Sequence, residues 1–154
     1  MATQATTKMH RPPPGVPWNV LINVILHPDD KTFHFQSDDV EIGPDNQITF
    51  KNDHQPGFVI TFHLEEPRHG YRFPEDHKAA LSSVDEARCP GVDDGQWGQF
   101  KSKAVNNLGE DLVVRNLNER QRKFGYTLFV TDDDGKTFWP LDPIGNNENG
   151  SSAQ

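Results

Sequence analysis

Apolar residues recur at every second position through most of this chain, and that spacing restricts the fold more than any other feature. Val20, Ile22, Val24 and Leu26 alternate along one run, and Phe33 with Phe35 marks a second. Val40 and Ile42 mark a third, stopped by Gly43-Pro44-Asp45-Asn46, and Ile48 with Phe50 a fourth. Phe58, Ile60, Phe62 and Leu64 then alternate with Val59, Thr61 and His63. Leu112 and Val114 follow, then Phe124, Tyr126, Leu128 and Val130, then Phe138 with Trp139. A period of two gives each strand one buried and one wet face. Short runs separated by turn residues predict an all-β, two-layer antiparallel sandwich of Greek-key type, with roughly seven to nine strands. The aromatic content, with 10 Phe and 3 Trp, supplies a core despite a modest 33% of hydrophobic residues.

Alternation lapses over residues 65–96. Pro74, with Glu75 and Asp76 behind it, suits a helical first turn. Ser83-Val84-Asp85-Glu86 has capping-box spacing, and Cys89-Pro90-Gly91 is a stop. The segment therefore reads as a long crossover with short helical turns, all helix being confined to residues 74–88. Such an excursion either carries function or plugs an open end of the sandwich. The expected organisation is a flexible Pro-rich arm over 1–17, the sandwich over 18–144 and a disordered tail over 145–154.

Charge and composition remove several functions. The formal net charge is -8, and a nucleic-acid backbone demands the opposite sign. Arg115, Arg120, Arg122 and Lys123 form the nearest basic cluster, but Glu119 interrupts it. Neither nucleic acid nor an anionic membrane is an expected partner. Val20–Leu26 is the longest apolar stretch, too short to span a bilayer and broken by Asn23. Residues 1–17 lack the apolar core of a secretory signal, and one cysteine, Cys89, permits no internal disulfide. A reducing cytoplasm is the expected compartment.

Chemistry-bearing motifs are few. Thr131-Asp132-Asp133-Asp134-Gly135-Lys136-Thr137-Phe138 looks like an Asp box, a hairpin in which Gly135 supplies a left-handed position, Asp133 accepts turn amides and Phe138 packs the turn. Asp132, Asp134 and Asp142 are candidate oxygen ligands for a calcium ion, though Val130 would occupy the first position of an EF-hand loop. His54, His63, His69 and His77 cluster in sequence, the first three being candidate metal ligands. No pair has the H-x-H or H-x-x-x-H spacing, and His34 and His63 belong to wet faces. Glu65 and Glu66 point to opposite faces of a strand, and neither a G-x-S-x-G elbow nor a phosphate loop occurs. No catalytic residue and no cofactor is expected.

Glu41–Asn52 resembles the turn-strand-Asn segment of cupredoxins, and Phe124–Val130 the strand that enters their copper loop. The loop's Cys, His and Met are replaced here by Thr131 and Asp132, and no His or Met follows His77, so a blue-copper centre is excluded. Glu66-Pro67 after a Phe-rich strand, with Thr137-Phe138-Trp139-Pro140-Leu141-Asp142-Pro143-Ile144-Gly145-Asn146-Asn147, is similar to the DP-EP family of small bacterial proteins, over about residues 18–147. That resemblance implies an immunoglobulin-like or cupredoxin-like sandwich and no assigned activity. The expectation is a non-enzymatic binding or self-assembly module, with a metal- or small-ligand-binding sandwich as the alternative. Pro12, Pro13 and Pro14 with Trp18 are the expected contacts, the arm or the strand after it lying against a protein partner or a second copy.

Overall fold

The computed structural model describes residues 12, 13, 15–51, 56–119, 123–132, 135, 137–141 and, for their backbone course, 144–148. The architecture is all-β. Among the described residues, eleven strands run in chain order: β1 (Trp18–His27), β2 (Thr32–Gln36), β3 (Glu41–Ile42), β4 (Ile48–Lys51), β5 (Phe58–Leu64), β6 (Leu81–Val84), β7 (Phe100–Asn106), β8 (Asp111–Asn116), β9 (Lys123–Thr131), β10 (Phe138–Leu141) and β11 (Ile144–Glu148). They form two sheets. The first has the order β2-β1-β5-β8-β7; in the second, β10 and β11 both pair one edge of β9, β4 and β3 continue beyond β11, and β6 pairs the other edge of β9. Every run read from alternation is a strand. No described helix is long and apolar enough to cross a membrane.

Several expectations need correction. The sheets are mixed rather than antiparallel throughout: β1 pairs β5 in parallel, and β11 pairs β4 in parallel. Strands β6, β7 and β11 carry no clean alternation in sequence, and tertiary pairing decides them. Residues 145–148, expected in a disordered tail, belong with Ile144 to β11, between β4 and β9. Ser83 lies in β6 and caps no helix. Among the described residues, helical geometry is limited to 3-10 turns at His77–Ala80 and Val92–Asp94 and a left-handed turn at Asn107–Gly109, the last two beyond residue 88.

The crossover also covers part of the second sheet. It lays residues 85–91 across the outer face of β9, where Thr127 Oγ1 donates to the Pro90 carbonyl at 2.8 Å. That cover explains why β9 is buried on both faces from Phe124 to Thr131. The fit is tight: a Cβ on Gly125 would stand 1.6 Å from the Arg88 carbonyl oxygen.

A continuous aromatic layer joins the sheets. Phe35, Phe62, Tyr126, Phe100 and Phe124 touch in series at centroid separations of 5.7, 6.2, 4.7 and 4.8 Å. Phe50 joins Phe58 and Phe100. All seven rings are fully buried. Tyr126 carries its hydroxyl into this layer without a hydrogen-bond partner, and burial pushes its pKa well above the usual phenol value.

Two stability changes follow. Gly125→Ala should lower unfolding free energy by about 2–3 kcal/mol, because the obstructing atom is backbone. Tyr126→Phe should be neutral or stabilising by up to about 1 kcal/mol, since it removes an unsatisfied buried hydroxyl. Urea denaturation of both variants checks the opposite signs.

Candidate functional site

Polar side chains converge where four connections meet at one end of the sandwich. These are the β1–β2 turn, the β5–β6 loop from residue 65, the β7–β8 turn and the β9–β10 hairpin. Arg72 exchanges both backbone hydrogen bonds with Thr131, at 2.9 and 2.8 Å, which ties the β5–β6 loop to the second sheet. Phe73 N–H donates to the Gly109 carbonyl at 2.8 Å, which ties it to the β7–β8 turn. Tyr71 packs edge-on against Trp139, with centroids 5.2 Å apart. Lys31 from the β1–β2 turn places its ammonium 4.9 Å from the Trp139 centroid and 3.2 Å from the Tyr71 hydroxyl. One cation–π brace thus clamps three of the four connections.

On the outer face of the first sheet, pairing register aligns Gln36, Asn23, His63, Asp111 and Asn106 in one transverse row. His63 Nδ1–H donates to Asp111 Oδ1 at 2.6 Å and lies 3.8 Å from Glu110 Oε1. The Asn107 amide donates to the other Asp111 oxygen. Arg68 Nε is 3.0 Å from Glu66 Oε2 and 3.7 Å from Glu110 Oε2. His63, Glu110 and Asp111 are all half-buried, so solvent still reaches them.

The β7–β8 turn is unusual. Asn107, Leu108 and Gly109 all have positive φ, at 55°, 57° and 88°. Gly109 is demanded by packing as well, since a Cβ there would meet Arg72 Cβ at 2.7 Å. Leu108 has no such reason, yet its side chain is 94% exposed. Left-handed geometry costs a non-glycine residue of this kind on the order of 1–2 kcal/mol. Two clefts flank it. One of about 480 Å³ is bordered by Arg72, Phe73, Glu75 and Val105, and one of about 310 Å³ by Glu66, Arg68, His69 and Tyr71.

Of the residues expected to bind metal, His63 alone joins a group of close ligand atoms among the described residues, and it does so with Glu110 and Asp111. His69 is exposed on the β5–β6 loop and outside that group. His54, Asp134 and Asp142 lie outside the described residues, as does Asp133. The Asp132 carbonyl accepts from Gly135 N–H at 3.1 Å, and Gly135 takes the expected left-handed position at φ 69°. Phe138 is 40% exposed, whereas Trp139 is buried. Glu110 and Asp111 were not legible as partners of His63. Forty-eight residues separate Asp111 from the histidine, and only the β5–β8 register unites them.

The expected interaction contacts also change character. Trp18 is half-buried against the chain's own core, and its N–H donates to the Gly57 carbonyl. The strand it opens is interior to its own sheet: β5 pairs one edge, and β2 takes the other over Asn23–His27. Beyond β2, Asp39 accepts from Leu21 N–H and Ser37 Oγ donates to the Leu21 carbonyl. Pro12 is half-buried and Pro13 exposed, while residues 1–11 and Pro14 lie outside the described residues. Arg115 of the basic cluster spends its guanidinium on the Pro56, Phe58 and Asn116 carbonyls, and burial pulls its pKa below the usual value.

His77 Nδ1 stands 2.8 Å from Ser102 Oγ, the spacing of an activated serine. Ser102 is buried and also accepts from Gln96 Nε2, which donates to the Leu81 carbonyl as well. That network pins the crossover to β7. No family model matches this chain, and no curated protein matches it.

Lys31→Ala removes the cation–π brace. It should cost about 0.5–1 kcal/mol and change the tryptophan emission, while Lys31→Arg retains most of both. Denaturation followed by fluorescence tests this.

Proposed function

We propose that this protein is a non-enzymatic self-association module that pairs with a second copy through the loop end carrying Leu108. The observation that carries the reading is a fully presented leucine held in a strained conformation. Strain of this kind persists where the surroundings impose it and clusters at functional positions. The flanking clefts lie on the same face as the knob, so one patch holds both halves of an isologous contact: the leucine of each copy enters a cleft of the other. Arg68 and Arg72 beside Glu66, Glu75 and Glu110 make the rim mixed in sign and able to match itself.

Edge-to-edge pairing is the weaker route. On β2, the Asn46 amide already accepts from Phe35 N–H and donates to the Phe33 carbonyl. On β7 the ladder shifts register at Lys103, between exposed Lys101 and the turn, and a bulged, lysine-bearing edge resists pairing. An Asp39–Leu21 bond occupies the open part of β1. The resemblance to the DP-EP family, which implies a sandwich without an assigned reaction, agrees with a binding role.

Sedimentation equilibrium on the full chain at tens of micromolar tests this. The expected result is a dimer, strengthened by salt because each copy carries a formal charge of -8. Leu108→Asp should yield a monomer. Leu108→Gly should also abolish pairing while raising monomer stability by about 1 kcal/mol through relief of strain. A monomeric wild type, or a dimer indifferent to both substitutions, overturns the reading.

A further inference from the structure

We propose that His63, Glu110 and Asp111 bind a divalent first-row transition-metal ion, of which Zn²⁺ is the probe. Nδ1 of His63 and one oxygen of each carboxylate all lie within 4.8 Å of one another. Ligand atoms about 2.0–2.2 Å from a common ion stand roughly 3–3.5 Å apart. The two observed separations from Nδ1, 2.6 and 3.8 Å, bracket that spacing, so rotamer adjustments alone would admit the ion.

The arrangement around the three side chains supports the same assignment. Asp111 has one oxygen taken by a hydrogen-bond donor, and one oxygen of Glu110 faces a cation 3.7 Å away. Asn107 holds Oδ2 of Asp111, and Arg68 lies against Oε2 of Glu110. The remaining oxygens, Oδ1 and Oε1, are the two that face the imidazole. Outer partners of this type orient ligands in metal sites and leave the free lone pairs aimed at the ion. The cluster also has an excess of negative charge. Arg68 is the cation beside Glu66 and Glu110, so with Asp111 three carboxylates face one guanidinium, a surplus that favours a second cation.

Two ligands stand on β5 and β8, interior strands of the first sheet, which gives them the positional rigidity a site requires. Register sets Asn23 beside His63 in the same row, near enough in the sheet to offer an amide oxygen. One imidazole with two carboxylates suits zinc or manganese better than calcium or magnesium, which prefer oxygen alone. Three protein ligands leave at least one position open to water or to a small anion.

The test is titration of the untagged, chelator-stripped full chain with Zn²⁺ against a competing chromophoric chelator, with histidine ring ¹⁵N shifts recorded in parallel. One saturable equivalent is expected, accompanied by a shift of the His63 ring alone among the described histidines. His63→Gln and Asp111→Asn should each weaken binding about tenfold or more, Glu110→Gln should weaken it too, and His34→Ala and His69→Ala should leave it unchanged. Thermal melts without metal establish that each variant is folded, and the ring shifts in the unmodified chain need no variant. Absence of saturable uptake would make the trio a cross-strand polar contact and overturn the site. So would uptake unaffected in folded His63→Gln. Leu108→Asp should retain zinc binding, so this site stands or falls separately from self-association.

Discussion

Contact between aromatic rings of the two sheets is the interaction on which the rest of the molecule depends. Phe35, Phe58, Phe62 and Phe100 come from the first sheet, and Phe50, Phe124 and Tyr126 from the second. No single strand could hold them, because each strand offers only alternate positions to the interior. Tilted rings at centroid distances near 5–6 Å combine area burial with favourable quadrupole geometry. Because β9 supplies two of those rings and is also covered outside by residues 85–91, it anchors both the core and the crossover.

That anchoring also positions the loop end. The crossover leaves the first sheet after β5, binds Thr131 through Arg72, and only then turns over β9. The loop is therefore fixed at both of its supports. Its Tyr71 and Arg68 are positioned against Trp139 and Glu110 without any helix. A small domain can hold a precise polar group on loops when their backbones are hydrogen-bonded to strands, as Phe73 is to Gly109. The same contact forces glycine at 109 and brings the strained pair Asn107–Leu108 to the tip.

The edges of the first sheet show a complementary restraint. Asn46, itself at φ 61°, supplies a side-chain amide that completes the hydrogen bonding of β2 much as another strand would. β7 meets the same problem with a bulge and exposed lysines. Both devices leave these two edges poorly suited to pairing with a further strand.

Period-two alternation alone determined the class of fold, because every strand with one buried face must write that face into its sequence. It therefore located Val20–Leu26, Phe58–Leu64 and Phe124–Val130. It was silent on β6, whose Ser82 and Ser83 are buried polar residues, Ser83 donating to the Phe100 carbonyl, and on β11, a strand held by parallel pairing with β4. Sequence placed His63 on the solvent face, which is where it lies, but could not supply its partners. Which carboxylate faces an imidazole across a sheet depends on strand order and register. Those are set by long-range packing of the aromatic layer and not by any property local to residues 63, 110 or 111. The left-handed Leu108 was equally hidden, because leucine does not favour that conformation and only the contact of Gly109 with Arg72 and Phe73 imposes such a turn there.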